Sequence, residues 1–292
     1  MTSTTVGVVG LGQMGLGMAT SLAGKGLAVL GCDLSAERRA LAEAAGLRVA
    51  PLPEVAKASK VVVLSLPMAA HVADVVERAD GLLAHLPRGA VIVDTSTSEA
   101  GVSRRLAIVA AERGIAFLDA PVSGGVAGAA SGALTMMIGG AAEALEEARP
   151  ALAAMAARIF HVGPSGAGNV AKLVNNLLVA AHLLTVSEAM RLAEAAGVPA
   201  ADALKVVNVS TGRSAISEIN YPRWIESGTF DSGFTMGLMR KDVRLALALA
   251  AENGCTLPMS ELVGRTWMQS ADCLADGEDF NRIATLAPSK EV

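Results

Sequence analysis

The sequence predicts an α/β protein in two parts, a mostly parallel sheet flanked by helices followed by a domain built only of helices. Three observations carry this prediction. Short β-branched runs alternate with amphipathic stretches as far as residue 163. Three glycines at fixed spacing follow the first run. Beyond residue 163 no strand-like run appears, and the longest helical stretch begins. A chain of 292 residues suggests two domains, and the predicted boundaries are 1–163 and 164–292. With 52% hydrophobic residues but only 3% aromatic, the core must be made of Ala, Val, Leu and Met.

Taken in order, the predicted strands are VGVVG, LAVLGCD, KVVVLSL, AVIVDTS, AFLDAPV, ALTMMIGG and RIFHVG, with helices between them covering both faces of the sheet. PSGAGNVAKLVNN then opens a helix over about 167–196, free of Pro and Gly until Gly197 and Pro199 stop it. At 1.5 Å per residue it is roughly 40 Å long, enough to join two domains. Val170 to Met190 resembles a membrane span in apolarity, but Lys172, Asn175, Asn176, His182 and Glu188 interrupt it, which favours a buried helix and no membrane. Further helices are expected over 202–209, over 241–253 before Gly254 and Pro258, and over 260–275 before Gly277.

The net charge of −4 and the lack of a Lys/Arg block argue against nucleic acid as a partner. MTSTTVGVVG has no basic segment before an apolar run, so a cytoplasmic protein is expected. Cys32, Cys255 and Cys273 show neither disulfide nor zinc spacing and are read as small buried hydrophobes. His71, His161 and His182 lack metal-like spacing and are read as structural or surface residues; no metal is expected.

Gly10, Leu11, Gly12, Gln13, Met14 and Gly15 form the loop G-x-G-x-x-G between the first strand and a helix. There the first glycine permits a tight turn, the second admits a pyrophosphate close to the backbone, and the third lets helix pack on strand. The helix N-terminus faces the anion. Asp33, 18 residues beyond Gly15, ends the next strand, where a carboxylate accepts from ribose hydroxyls and repels a 2′-phosphate. The pattern indicates a Rossmann-type dinucleotide-binding domain with NAD favoured. Asp33 would also suit a cap on the helix starting near Ser35, and Arg38 and Arg39 stand where a 2′-phosphate of NADP would need them.

DAPVSGG places Ser123, Gly124 and Gly125 at a strand end, a turn able to offer backbone N–H groups and a hydroxyl to a carboxylate or to serve as an ordinary turn. On the long helix Gly168, Lys172 and Asn176 share one face in apolar surroundings. Burial lowers a lysine's pKa toward the range useful for proton transfer, and buried amides need partners that a ligand would supply. Read locally, Lys241 is solvated and Asp242 sits at the positive start of a helix.

GLGQMG, DAPVSGG, GNVAKLVNN and LMRKD, in that order over essentially the whole chain, resemble the β-hydroxyacid dehydrogenases, the family of 3-hydroxyisobutyrate dehydrogenase and tartronate semialdehyde reductase. The resemblance implies a Rossmann-type domain, an all-α C-terminal domain joined by a long helix, and an active site in the cleft between them. It implies Lys172 as catalytic acid–base, Asn176 as a substrate-holding amide, Ser123, Gly124 and Gly125 as the carboxylate site, and Lys241 beside the cofactor. Leu66, Pro67 and Thr97 would add cofactor contacts. His71 and Ala100 depart from the residues usual in relatives.

Within STGRSAISEINYPRWIESGTFDSGF, the residues Arg213, Ser214, Tyr221, Trp224 and Phe234 are candidates for the substrate pocket, where Arg213 would suit a second anionic group unless it forms a loop salt bridge. The expected reaction is hydride transfer between NAD, or NADP, and a short 3-hydroxy acid. Tartronate semialdehyde reduction and imine reduction are the enzymatic alternatives, and a non-catalytic dinucleotide-binding scaffold is the alternative of another class. Apolar helix faces such as LALALAAENG predict a homodimer or homotetramer.

Overall fold

The computed structural model describes residues 5–286. It divides into two compact units that meet within one helix, the first ending at Lys172 and the second beginning at Leu173.

In the first unit nine strands form one sheet: β1 (Thr5–Val9), β2 (Ala28–Cys32), β3 (Arg48–Val49), β4 (Ser59–Leu64), β5 (Val91–Asp94), β6 (Ala116–Asp119), β7 (Val122–Ser123), β8 (Leu134–Gly139) and β9 (Ala156–Gly163). The helices between them are α1 (Gln13–Gly24), α2 (Ala36–Ala44), α3 (Leu52–Ala58), α4 (Ala69–Glu77), α5 (Leu82–His85), α6 (Ala100–Glu112), α7 (Gly125–Ser131) and α8 (Ala142–Met155). The order β3-β2-β1-β4-β5-β6 is wholly parallel, as expected of a Rossmann-type domain, and its direction of winding reverses between β1 and β4. β8 runs antiparallel to β6 and β7, and β9 lies parallel to β8.

The valine runs follow from burial on both faces. Val61, Val63, Val91 and Val93 belong to the core on one side of the sheet, while Val62, Leu64 and Ile92 belong to the core on the other. Side chains alternate across a strand, so a strand covered on both faces must be apolar at every position. Each such side chain contributes about 1.5–3 kcal/mol when fully buried. β3 and β7, two residues each, were too short to leave a periodic signal.

The second unit continues α9 (Ala167–Ala195) and adds α10 (Ala200–Val207), a π-helix (Ile216–Glu226), α11 (Met236–Glu252), α12 (Pro258–Gln269) and two 3₁₀ turns, Ser270–Asp272 and Phe280–Thr285. Among the described residues beyond Leu173 the only β contact is the Thr235–Asp279 bridge. Trp267, Met236, Met239, Val243 and Leu183 centre its core. α9 is long and apolar enough to cross a membrane by length and composition alone. Its burial instead follows a stripe, Asn169, Lys172, Leu173, Asn176, Ala180, Leu183, Ser187 and Met190, and a stripe carrying that many polar groups is that of a core helix.

Three sequence expectations are corrected. α11 starts at Met236, so Lys241 and Asp242 lie in its second turn and not at its start; the N-cap is Thr235, whose hydroxyl accepts from the Leu238 N–H. The helix expected over 260–275 ends at Gln269 and tightens into a 3₁₀ turn. Cys255 and Cys273 are exposed, because each falls just after a helical segment has ended, and only Cys32 is partly enclosed. Burial, and then the neighbouring Asp33 charge, push the Cys32 thiol up.

Candidate active site

In the first unit the glycine loop, Asp33, Leu66, Pro67 and Thr97 lie just beyond C-terminal ends of strands, where an open α/β sheet binds its ligands, Ser123 ends β7, and Lys172 lies on α9. The glycine loop follows β1. Gly10 has φ +89°, a conformation that favours glycine, and its N–H donates to the Cys32 carbonyl at 2.9 Å. A Cβ on Gly15 would overlap the Gly10 carbonyl oxygen, so the third glycine sets how closely α1 approaches β1. A Cβ on Gly12 would meet nothing within 4 Å. Only Gly12 therefore borders open space, at the N-terminus of α1, whose first turn carries no acidic residue. This cradle fits a pyrophosphate.

Asp33 at the end of β2 is half-buried, and its carboxylate accepts from the Leu11 N–H at 2.6 Å and the Ser35 N–H at 2.8 Å. The helix cap is Ser35, which accepts from the Arg38 N–H, so Asp33 does not cap α2 but ties its strand end to the glycine loop. Arg39 donates through one nitrogen to the Asp33 and Leu34 carbonyls, at 2.9 and 2.8 Å, which commits it to the loop backbone. Leu66 and Pro67 follow β4. The Leu66 N–H donates to the Ser96 hydroxyl at 3.0 Å, and the Thr95 hydroxyl donates back to the Leu64 carbonyl at 2.6 Å, fastening this loop to the one after β5 that carries half-buried Thr97.

Ser123 ends β7 opposite Thr135, and Gly124 and Gly125 then take φ of +125° and +63° with their backbone exposed. This open turn retains the capacity to present N–H groups.

Lys172 is buried, 8% exposed, on α9. Gly168 before it admits no side chain, since a Cβ would overlap the Met137 and Asp119 carbonyl oxygens. Two residues without a sequence-derived role stand here. Asp119, wholly buried at the end of β6, accepts from the Gly166 N–H at 2.7 Å and the Asn169 N–H at 3.0 Å. Burial pushes its carboxyl up, against the opposing pull of those N–H groups. Asn169, also wholly buried, donates to the Ser103 hydroxyl at 2.9 Å and accepts from the Ser98 N–H at 3.1 Å. Both sit in quoted motifs, and the available signal was a polar residue where the burial pattern demands an apolar one.

In the second unit Asn176, one turn beyond Lys172 on α9, donates to Asp242 at 2.6 Å, and Asp242 also pairs with Lys241 at 3.2 Å. Lys241 is 8% and Asp242 1% exposed, which overturns the local reading of a solvated lysine. Next to them Arg240 donates to the Trp267 and Leu274 carbonyls, Ser270 and Asp276, anchoring α11 to the turn after α12.

Of the loop candidates, Arg213 pairs with Glu218 at 3.5 Å in the open, a contact worth about 0–1 kcal/mol. Phe234 packs edge-to-face on Phe280 with centroids 5.2 Å apart and belongs to the helical core. Tyr221 is half-buried, its phenol pushed up by burial and by Glu194 and Glu226. Ser214 bonds to Ser217 at the start of the π-helix, and Trp224 stacks under Arg223 at 4.9 Å.

Two family models match the chain: the NAD-binding domain of 6-phosphogluconate dehydrogenase over residues 5–163, and the NAD-binding domain of NADP-dependent 3-hydroxyisobutyrate dehydrogenase over 166–287. The chain is 40% identical to the NAD-dependent L-serine dehydrogenase of Pseudomonas aeruginosa, covering 88% of this chain and 89% of that one. It is 38% identical to the 2-(hydroxymethyl)glutarate dehydrogenase of Eubacterium barkeri, over 89% and 87% of the two chains. Among solved structures, Mycobacterium tuberculosis 3-hydroxyisobutyrate dehydrogenase with L-serine superposes with a TM-score of 0.90 at 34% identity, covering 97% and 98% of the chains.

Proposed function

We propose, from the premise that this chain belongs to the β-hydroxyacid dehydrogenase family, that it oxidises the carbinol carbon of a short 3-hydroxy acid with Lys172 as general base. It is an NAD(P)-dependent oxidoreductase of hydroxy acids; bound NAD supplies the hydride acceptor. The observation that carries the assignment of the base is a buried lysine one helical turn from a buried amide on α9. A lysine kept from water has no reason to be there unless its ammonium meets polar groups or its amine takes a proton.

In this reading neutral Lys172 takes the hydroxyl proton at Nζ as the hydride departs, and in reduction its ammonium returns it. Asn176 orients the substrate through the capacity its amide has left, one N–H and one oxygen lone pair, since its nitrogen donates to Asp242 and its oxygen accepts from Asn175 Nδ2 at 3.0 Å. Ser123, Gly124 and Gly125 hold the carboxylate. Gly10 to Gly15, Asp33, Leu66, Pro67, Thr97 and Lys241 hold the dinucleotide. The test is NADH formation across 3-hydroxyisobutyrate, L-serine, L-threonate, glycerate and 3-hydroxypropionate. Turnover of at least one supports the reading, and inactivity toward all of them in a protein that binds NADH favours the scaffold alternative.

NAD is expected to exceed NADP in kcat/KM by at least about tenfold, because Asp33 is fixed at the ribose end of the cradle and a 2′-phosphate there meets its charge. Arg39, one of the two cations next at hand, donates to two carbonyls. Equal kcat/KM values would refute the preference, and Asp33→Ala should narrow it.

Self-association is also proposed, in the cytoplasm. The exposed apolar side chains of the second unit are spread over α9 (Val174, Leu178, Leu192), α10 (Val206), the π-helix (Ile219), α12 (Met259, Leu262) and the connecting residues Val198 and Val209, and do not include LALALAAENG, whose leucines are half-buried. Light scattering should give at least twice the 29.5 kDa chain mass, and a monomer at micromolar concentration would sink the idea.

A further inference from the structure

Where Lys172 stands depends on how α9 begins. Asp119 supplies the cap from another strand: its two oxygens take the Gly166 and Asn169 N–H groups, two of those the first turn leaves without an intrahelical partner, and a carboxylate meets the positive end of a 29-residue helix. These bonds use only the backbone of Asn169. Its side chain is free for something else.

That side chain reaches the neighbouring segments. Oδ1 accepts from the Ser98 N–H at 3.1 Å, in the loop after β5 and next to Thr97; Nδ2 donates to the Ser103 hydroxyl at 2.9 Å, in the first turn of α6. All of these residues belong to the first unit. Asn169, Ser98 and Ser103 are each at most 1% exposed, so water cannot replace either bond. Three residues along the same face of α9 comes Lys172.

We infer that Asn169 is a positioning residue, which locks the Thr97 loop to the helix that carries Lys172 and so sets the base against the nicotinamide end of the cofactor. The inference rests on Lys172 being the base. A purely structural role would be served by the Asp119 cap, which survives loss of the amide. The side-chain bonds add a fixed distance between two loops' worth of catalytic machinery.

The experiment compares the wild type with Asn169→Ala, Ser103→Ala and Lys172→Ala, measuring Tm, NADH Kd by fluorescence, and the pH profile of kcat on whichever of 3-hydroxyisobutyrate, L-serine and L-threonate turns over best. Asn169→Ala should lose roughly 10- to 100-fold in kcat, as a misplacement near 1 Å does, with NADH Kd changed by less than about threefold and the acid limb of the profile displaced. Ser103→Ala, which strands the Asn169 amide more gently, should show the same split at smaller size. It decides the matter if Asn169→Ala does not fold. Wild-type kcat in folded Asn169→Ala, or kcat and NADH affinity lost in proportion, would overturn the inference. If Lys172→Ala keeps its turnover, the assignment of the base fails and the coupling falls with it. A normal Asn169→Ala beside an inactive Lys172→Ala sinks the coupling alone.

Discussion

Lys172→Ala is expected to lower kcat by about 10²–10⁴-fold, the range a positioned base contributes, while NADH binds nearly as before. The separation follows from where the groups lie. In the proposed site the glycine loop after β1 would hold the dinucleotide through backbone N–H groups and the start of α1, whereas Lys172 sits on α9, beyond Gly168 and Asn169. Lys172→Arg distinguishes proton transfer from mere charge, because a guanidinium keeps the positive charge but does not give up its proton near neutral pH. It should be as slow as alanine in hydroxy acid oxidation. Recovery of turnover in the arginine variant would make the role electrostatic, and near wild-type turnover in the alanine variant would end the assignment.

Much of the first unit was legible because its strands are covered on both faces. VVVL in β4 and VIV in β5 must be apolar at every position, and such runs stand out against amphipathic helices. The Gly197 and Pro199 stop after α9 was equally plain. What escaped were elements with no period to show. β3 and β7 span two residues each, and the π-helix Ile216–Glu226, with Pro222 inside it, breaks the 3.6-residue repeat on which helix patterns rest.

The site divides the same way. The glycine loop announces itself because the φ of +89° at Gly10 and the close approach at Gly15 demand glycine, and residue type alone records the demand. Lys241 and Asp242 misled for the opposite reason. Adjacent residues on a helix do not ordinarily face each other, so nothing in KD as a dipeptide says that both are buried, or that Asp242 reaches across to Asn176, 66 positions away. Tertiary packing made that pair. Asp119 and Asn169 were visible as letters but not as partners, since a hydrogen bond spanning 50 residues leaves no local trace.

The glycine loop carries the second large effect, and two substitutions three residues apart should fail in different ways. Gly12→Val is expected to abolish measurable NADH binding while Tm stays within a few degrees, because a Cβ at Gly12 meets no protein atom within 4 Å and the φ of −62° suits any residue. The space it fills is the space the proposed cradle leaves for a pyrophosphate. Gly15→Ala adds a single methyl group, yet that methyl overlaps the Gly10 carbonyl oxygen and must force α1 away from β1. Overpacking of this kind costs about 1–3 kcal/mol, and at about 2–4 °C per kcal/mol Tm should fall by several degrees before any ligand is added. Thermal melts and NADH titrations on both variants separate the two. If Gly12→Val bound NADH as the wild type does, the open face of the loop would not be the pyrophosphate cradle. Asp33, tied to the loop through the Leu11 N–H at 2.6 Å, would then need another explanation than ribose recognition.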